Sequence, residues 1–217
     1  MIKGFLFDLD GVIVDTAVFH FQAWRRLAQK LGGDFTEAQN EELKGVSRVD
    51  SLKMILNWTG ATVSAEEFTE LMALKNEWYL ELVQSLDASH GLPGAVEFLQ
   101  SAHAQGIKIA LGSASKNAPM ILDKMGLTPL FDAIIDGNNV VNGKPHPEVF
   151  LKGATAIGLN PEQCLVFEDS IAGLQAAITG GMKCVGIGTP DALKGANIHF
   201  NALGETTPEK LVARFNV

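Results

Sequence analysis

The 217-residue sequence predicts an α/β protein, a Rossmann-like doubly wound parallel sheet with a small inserted α-helical cap domain. Two observations lead to that class. Short apolar runs alternate with helix-like stretches over most of the chain, and one long helical segment interrupts the alternation after the first run.

The first run, residues 2–7, is broken only by Lys3 and Gly4 and stops at Asp8, as expected of a strand buried on both faces. From about residue 16 to residue 86 the pattern is helical. Phe19, Ala23, Leu27 and Leu31 share one face, Leu52, Ile55 and Leu56 a second, and Phe68, Leu71, Met72 and Leu82 a third. Pro93 and the glycines around it mark the return to alternation. Strands are then expected at 107–111, 133–135, 164–167 and 184–187, and helices at 95–105, 118–125, 147–157 and 171–179. Gly106, Gly126, Gly158 and Gly180 each follow a helical stretch, where a left-handed cap favours glycine. The expected division is a core of residues 1–15 and 89–217, with a helical cap of residues 16–88 over the carboxyl ends of the strands, where open α/β sheets bind ligands.

Composition narrows the function. A net charge of -8 argues against nucleic-acid or anionic-membrane partners. No apolar run is long enough to span a bilayer, and the opening apolar stretch reaches Asp8 too soon for a secretory signal. The two cysteines, Cys164 and Cys184, lie in apolar β-like segments and are expected to be buried reduced thiols, which points to the cytoplasm.

The chemistry is concentrated where strands end. Asp8 and Asp10 are two residues apart on extended backbone, so both project the same way, and Gly11 permits a tight turn behind them. Glu168 and Asp169 end another apolar strand, and in a parallel sheet both ends open onto one edge. Converging carboxylates repel, and Mg²⁺ is the hard, oxygen-seeking ion that relieves them. No Cys/His cluster has zinc spacing. Residues 112–117 form a small polar turn into a helix, suited to phosphate. Lys144 precedes Pro145, but the glycine spacing before it is wrong for a nucleotide-binding P-loop, and Pro145 stands where such a loop has Ser or Thr.

Asp8-Leu9-Asp10-Gly11-Val12, Ser113, Lys144 and Glu168-Asp169, in that order, resemble the motifs of the haloacid dehalogenase superfamily. Within it, His20 to Trp24, Leu43 to Arg48, Ser113 to Asn117, and Thr16, Ser51 and Lys75 resemble the β-phosphoglucomutase family over nearly the whole chain. The resemblance weakens after Gly188. It implies interconversion of β-D-glucose 1-phosphate and β-D-glucose 6-phosphate through β-glucose 1,6-bisphosphate.

The resemblance also implies roles. Asp8 would be the nucleophile and Asp10 the general acid/base. Thr16 and His20 would position Asp10, and Ser113 and Lys144 would complete the charge cradle. Mg²⁺ would be bound by Asp8, the Asp10 backbone carbonyl, Glu168 and Asp169. Trp24, Gly45, Val46, Ser47, Arg48, Ser51 and Lys75 would meet substrate from the cap, and Ser113, Ala114, Ser115, Lys116 and Asn117 from the core. The expected partners are hexose phosphates and glucose 1,6-bisphosphate, with no nucleic acid and no membrane, and the expected state is a monomer. The rival functions are a sugar-phosphate phosphatase using the same nucleophile and a non-catalytic phosphosugar-binding protein.

Overall fold

The computed structural model describes residues 1–216. Its centre is β1 (Gly4–Phe7), flanked on one side by β2 (Lys108–Gly112) and β3 (Ala133–Ile135). On the other side lie β4 (Cys164–Glu168), β5 (Lys183–Ile187) and β6 (Ile198–Phe200). The six strands run parallel in the order β3-β2-β1-β4-β5-β6. Gly4 pairs with Lys108 and Cys164, and Phe7 with Leu111 and Phe167. The three central strands therefore end side by side, which brings Asp8, Ser113 and Glu168 to one edge.

Alternation along the strands builds two apolar layers. Phe5, Phe7, Ile109, Leu111, Leu165 and Phe167 face one way, toward α5 (Ala95–Ala104), α6 (Ala118–Lys124) and α9 (Pro208–Phe215). Leu6, Ala110, Val166 and Cys184 face the other way, toward α7 (Glu148–Ala156) and α8 (Ile171–Thr179). Phe7 and Phe167 stack at 4.5 Å between centroids directly beneath the acidic strand ends. The expected strands and core helices are all present, with ends shifted by a residue or two.

Between β1 and β2 come α1 (Ala17–Lys30), α2 (Glu37–Glu42), α3 (Arg48–Thr59) and α4 (Ala65–Leu82). Capping boxes start two of them: Thr36 with Gln39 at α2 and Ser64 with Glu67 at α4. Trp24, Leu27, Phe35, Leu52, Ile55 and Leu71 form a separate apolar cluster among these helices. Phe19 and Leu82, which the sequence places on apolar helix faces, pack with Tyr79 and Val83 against the sheet-side layer and not within that cluster. They sit where α1 begins and α4 ends, next to the sheet.

Three elements lie outside the sequence expectations. α2 is a short polar run with no buried residue, so it has no apolar stripe to detect. β6 has only three half-buried residues. α9 is short, yet it carries an N-cap at Thr207, Pro208 in its first turn and an apolar face of Leu211, Val212 and Phe215, signals that the sequence expectations leave out. Gly180 is the C-cap residue of α8 with φ −74°, and the left-handed position falls one residue later, to Gly181 at φ 76°. Cys164 and Cys184 are free and buried. Among the described residues no helix is long and apolar enough to cross a membrane.

Phe167 is fully buried and joins the core to the acidic edge. Phe167→Ala should lower unfolding stability by about 3–5 kcal/mol, read as a fall in the urea midpoint.

Candidate active site

The turn after β1 is built by its own backbone. Ile13 and Val14 donate to the Leu9 carbonyl, and Gly11 N–H donates to the Val14 carbonyl at 2.8 Å. Gly11 sits at φ 81°, and a Cβ there would overlap the Asp169 carboxylate. Glycine is thus required for conformation and for the close approach of the two acidic segments. Asp8 and Asp10 both line the cavity that opens above the strand ends.

At the end of β4, Glu168 is fully buried. Ser170 donates to its Oε2 through both N–H (2.9 Å) and Oγ–H (2.8 Å), and Gly173 N–H donates to Ser170 Oγ at 3.0 Å. A Cβ at Gly173 would overlap the Glu168 carboxylate, so the first turn of α8 closes tightly over it. From the loop before α7, the buried Lys144 Nζ reaches Asp8 Oδ1 at 2.6 Å and Glu168 Oε1 at 2.5 Å.

Asp8, Glu168 and Asp169 present carboxylate oxygens all within 4.8 Å of one another. Burial pushes Asp8 up to about 6, against the pull of Lys144 and with the push of Glu168. Burial, then Glu168 and Asp8, hold Asp169 well above the usual carboxylate range. Burial would depress the Lys144 ammonium, yet Asp8 and Glu168 raise it above the usual lysine range. Lys144 and, beside Asp169, Lys44 bring two ammoniums to three carboxylates, which leaves the cluster one positive charge short. Clustered hard oxygen donors with incomplete counter-charge fit a divalent cation such as Mg²⁺.

Asp10 stands apart from that cluster. One of its oxygens is buried without a hydrogen-bond partner, and burial, then Asp8, push the group up to about 8. Two other orphaned oxygens, on Thr16 and Tyr79, belong to the same neighbourhood, for Tyr79 feels both the Asp10 charge and the Thr16 hydroxyl.

Helices α1 and α4 form the next wall. Lys75 is buried, with Nζ 2.8 Å from His20 Nδ1 and 4.5 Å above the Trp24 ring. Burial, then repulsion from Arg48, hold Lys75 well below the usual lysine range. His20 stacks on Tyr79 at 4.1 Å, and burial, then Lys75 and Arg48, keep it neutral.

Most residues singled out in the sequence meet here. Asp8, Asp10, His20, Trp24, Gly45, Val46, Arg48, Ser51, Lys75, Ala114, Ser115, Lys116 and Asp169 line one cavity. Thr16, Ser113, Lys144 and Glu168 are buried behind its wall. Ser113 Oγ accepts from Ser115 N–H, and Ser115 Oγ from Asn117 N–H, which winds the loop toward α6. Two residues fall outside the lining. Ser47 caps α3, accepting from Asp50 N–H, and Asn117 donates to Asn76 on α4 at 2.9 Å. Ala17, Asn40, Leu43 and Lys44 also line the cavity, although the sequence motifs give them no role. Lys44 pairs with Asp169 at 3.5 Å, and its one signal in the sequence is its place in the run from Leu43 to Arg48.

Comparison with known proteins places this geometry. A family model for haloacid dehalogenase-like hydrolases matches residues 2–181. The chain is 39% identical to the β-phosphoglucomutase of Bacillus subtilis, over 96% of this chain and 93% of that protein. It is 31% identical to a phosphorylated carbohydrates phosphatase of Thermotoga maritima, over 83% and 82% of the two chains. The crystal structure of β-phosphoglucomutase from Clostridium difficile superposes with a TM-score of 0.96 at 40% identity, covering 100% of this chain and 98% of that one. With its acidic strand ends, buried lysine and inserted helices, this chain belongs to the haloacid dehalogenase-like hydrolase family.

Proposed function

We propose that this protein is a phosphomutase interconverting β-D-glucose 1-phosphate and β-D-glucose 6-phosphate through β-glucose 1,6-bisphosphate. The observation that carries the reading is the pairing, in one cavity, of a lysine-bound nucleophile site with a second cationic region formed by Arg48, Lys75 and Lys116. A bisphosphate has two dianions to hold, and an acidic chain has gathered its cations where they would sit.

In this reading Asp8, phosphorylated by the bisphosphate, passes its phosphoryl group to the 6-hydroxyl of glucose 1-phosphate while Asp10 takes the hydroxyl proton. The resulting bisphosphate turns over in the cavity. An Asp8 oxygen then attacks the phosphorus at C1, the P–O1 bond breaks, and Asp10 returns its proton to O1. A carboxyl group held near 8 carries that proton at neutral pH. Mg²⁺, held by Asp8, Glu168, Asp169 and the Asp10 backbone carbonyl, would supply positive charge that lessens repulsion between Asp8 and the incoming phosphate. Lys144 and Ser113 hold the same phosphate, and His20 and Thr16 set the orientation of Asp10. Arg48, with its planar fork, grips the distal phosphate, aided by Ser115, Lys116 and Asn117. Gly45, Val46 and Ser47 border that phosphate, while Trp24, Ser51 and Lys75 border the sugar.

Residues 16–88 act in this reading as a cap domain on a core of 1–15 and 89–217, in a cytoplasmic monomer. The cap seats on the core through Lys44 and Asp169, and through Asn76 and Asn117.

A phosphorus-NMR time course with β-glucose 1-phosphate, Mg²⁺ and trace 1,6-bisphosphate tests the activity. Glucose 6-phosphate should accumulate with little inorganic phosphate; inorganic phosphate as the main product would make the enzyme a phosphatase. Asp8→Asn should reduce transfer by at least about 1,000-fold while the circular dichroism spectrum is kept. Chelation should abolish turnover, and Mg²⁺ added to the metal-free protein should raise its melting temperature by relieving the carboxylate cluster. Arg48→Ala should lower mutase flux by roughly 10- to 100-fold, the worth of one charge-assisted phosphate contact, with a smaller effect on phosphate release.

A further inference from the structure

Lys144 is delivered to the carboxylates by a segment with no regular structure of its own, residues 136–147. A buried ammonium on a flexible four-carbon stem stays in place only if its backbone is held. The stem itself packs on α7, with Nζ 4.7 Å above the Phe150 ring. The backbone is held by the first two turns of the same helix.

Glu148, the first residue of α7, turns its carboxylate back over the preceding loop. Oε1 accepts from Val141 N–H at 3.1 Å, and Oε2 accepts from Asn142 N–H at 2.9 Å and Asn142 Nδ2 at 3.0 Å. Lys152, one turn later, donates to Glu148 Oε1 at 2.7 Å and to the Asn139 carbonyl at 2.7 Å. The Lys152 hydrogen bond, then the Asn142 and Val141 amides, hold the Glu148 carboxyl down at about 2, so it is ionised at any working pH. An acidic residue in a first helical turn ordinarily serves the helix itself. Here the bonded amides lie six and seven residues upstream, on the Lys144 loop.

That loop touches both walls of the cavity. Gly137 N–H donates to the Ser115 carbonyl at 3.4 Å, and Asn138 Nδ2 to the Lys116 carbonyl at 3.2 Å. A Cβ on Gly137 would come within 2.5 Å of the Ala114 carbonyl oxygen, so the two loops are in direct backbone contact. On the cap side, Gly143 lies against Ser47, which caps the helix that begins at Arg48.

We propose that Glu148 and Lys152 are positioning residues: together they staple residues 139–142 to α7 and thereby set the reach of Lys144 to Asp8 and Glu168. The kinetic consequence rests on the phosphotransfer reading above, whereas the effect on Lys144 itself does not. Neither residue lines the cavity.

The test uses the full-length protein carrying Glu148→Ala, with Lys152→Met beside it. The first readout is the acylation rate of Lys144 by a water-soluble amine-reactive reagent, measured by peptide mass spectrometry and normalised to the exposed Lys30. In the wild type Lys144 should be nearly inert; in Glu148→Ala its labelling should accelerate several-fold, and in Lys152→Met by less, since the carboxylate keeps its amide partners. The second readout is kcat, which should fall by roughly 10- to 100-fold in Glu148→Ala, as expected for a displaced catalytic group, with KM for β-glucose 1-phosphate within about twofold of wild type. Wild-type labelling of Lys144 in a folded Glu148→Ala protein would overturn the proposal, and so would faster labelling with unchanged kcat. Should Glu148→Ala fail to fold, Glu148→Gln keeps the side-chain volume while losing the charge, and faster labelling with lower kcat is again expected, with unchanged labelling again overturning the proposal. Should the wild type prove inactive as a mutase, the labelling arm still decides whether the staple holds Lys144.

Discussion

A buried ammonium between two buried carboxylates is the interaction on which the rest of this site depends. Lys144 spans Asp8 at the end of β1 and Glu168 at the end of β4, and removing its charge would leave two adjacent buried carboxylates without the cation that joins them. The sheet makes the encounter unavoidable, because β1 and β4 are neighbours in register and Phe7 stacks on Phe167 one residue before each acid. Even with Lys144 in place, burial first and repulsion among the acids second hold Asp8 and Asp169 above the usual carboxylate range. The protein tolerates that repulsion at the place where a cation and a phosphate are to be handled.

Close approach is secured by absent side chains as much as by present ones. Gly11 lets the turn after β1 fold against Asp169, and Gly173 lets α8 begin directly over Glu168. The helices between β1 and β2 then turn an open sheet edge into a walled cavity. Their contribution is mainly cationic and aromatic: Arg48, Lys75 and Lys44 line the cavity opposite the core acids, Lys44 pairing with Asp169, with Trp24, His20 and Tyr79 packed around Lys75. A chain of net charge -8 thereby gathers Lys44, Arg48, Lys75 and Lys116 around one cavity. Repulsion between Arg48 and Lys75 is the standing electrostatic cost of that arrangement, and a bound dianion would relieve it.

The strands, the core helices and the order of the acidic and basic motifs are legible in the sequence because each is a local signal. An apolar run ending in Asp8-Leu9-Asp10-Gly11 encodes strand, direction and turn within a few residues. α2 and β6 are not legible, since short or wholly polar elements bury too little to impose a period. Phe19 packs on the sheet side rather than within the helical cluster, because periodicity identifies an apolar face without identifying what covers it.

The α/β class, the edge at which the chemistry sits and the residue types available there follow from the amino-acid order, because strand periodicity and strand-end motifs act over a few neighbours. Which groups touch was settled by packing in three dimensions: Lys144 bridges Asp8 and Glu168, Lys75 meets His20, Lys44 reaches Asp169, and Glu148 turns back onto the Lys144 loop. Those pairings join segments brought together by parallel strand register and helix packing. A hydrogen bond or ion pair between such segments depends on distances of a few ångströms, which no pattern of nearest neighbours along the chain specifies.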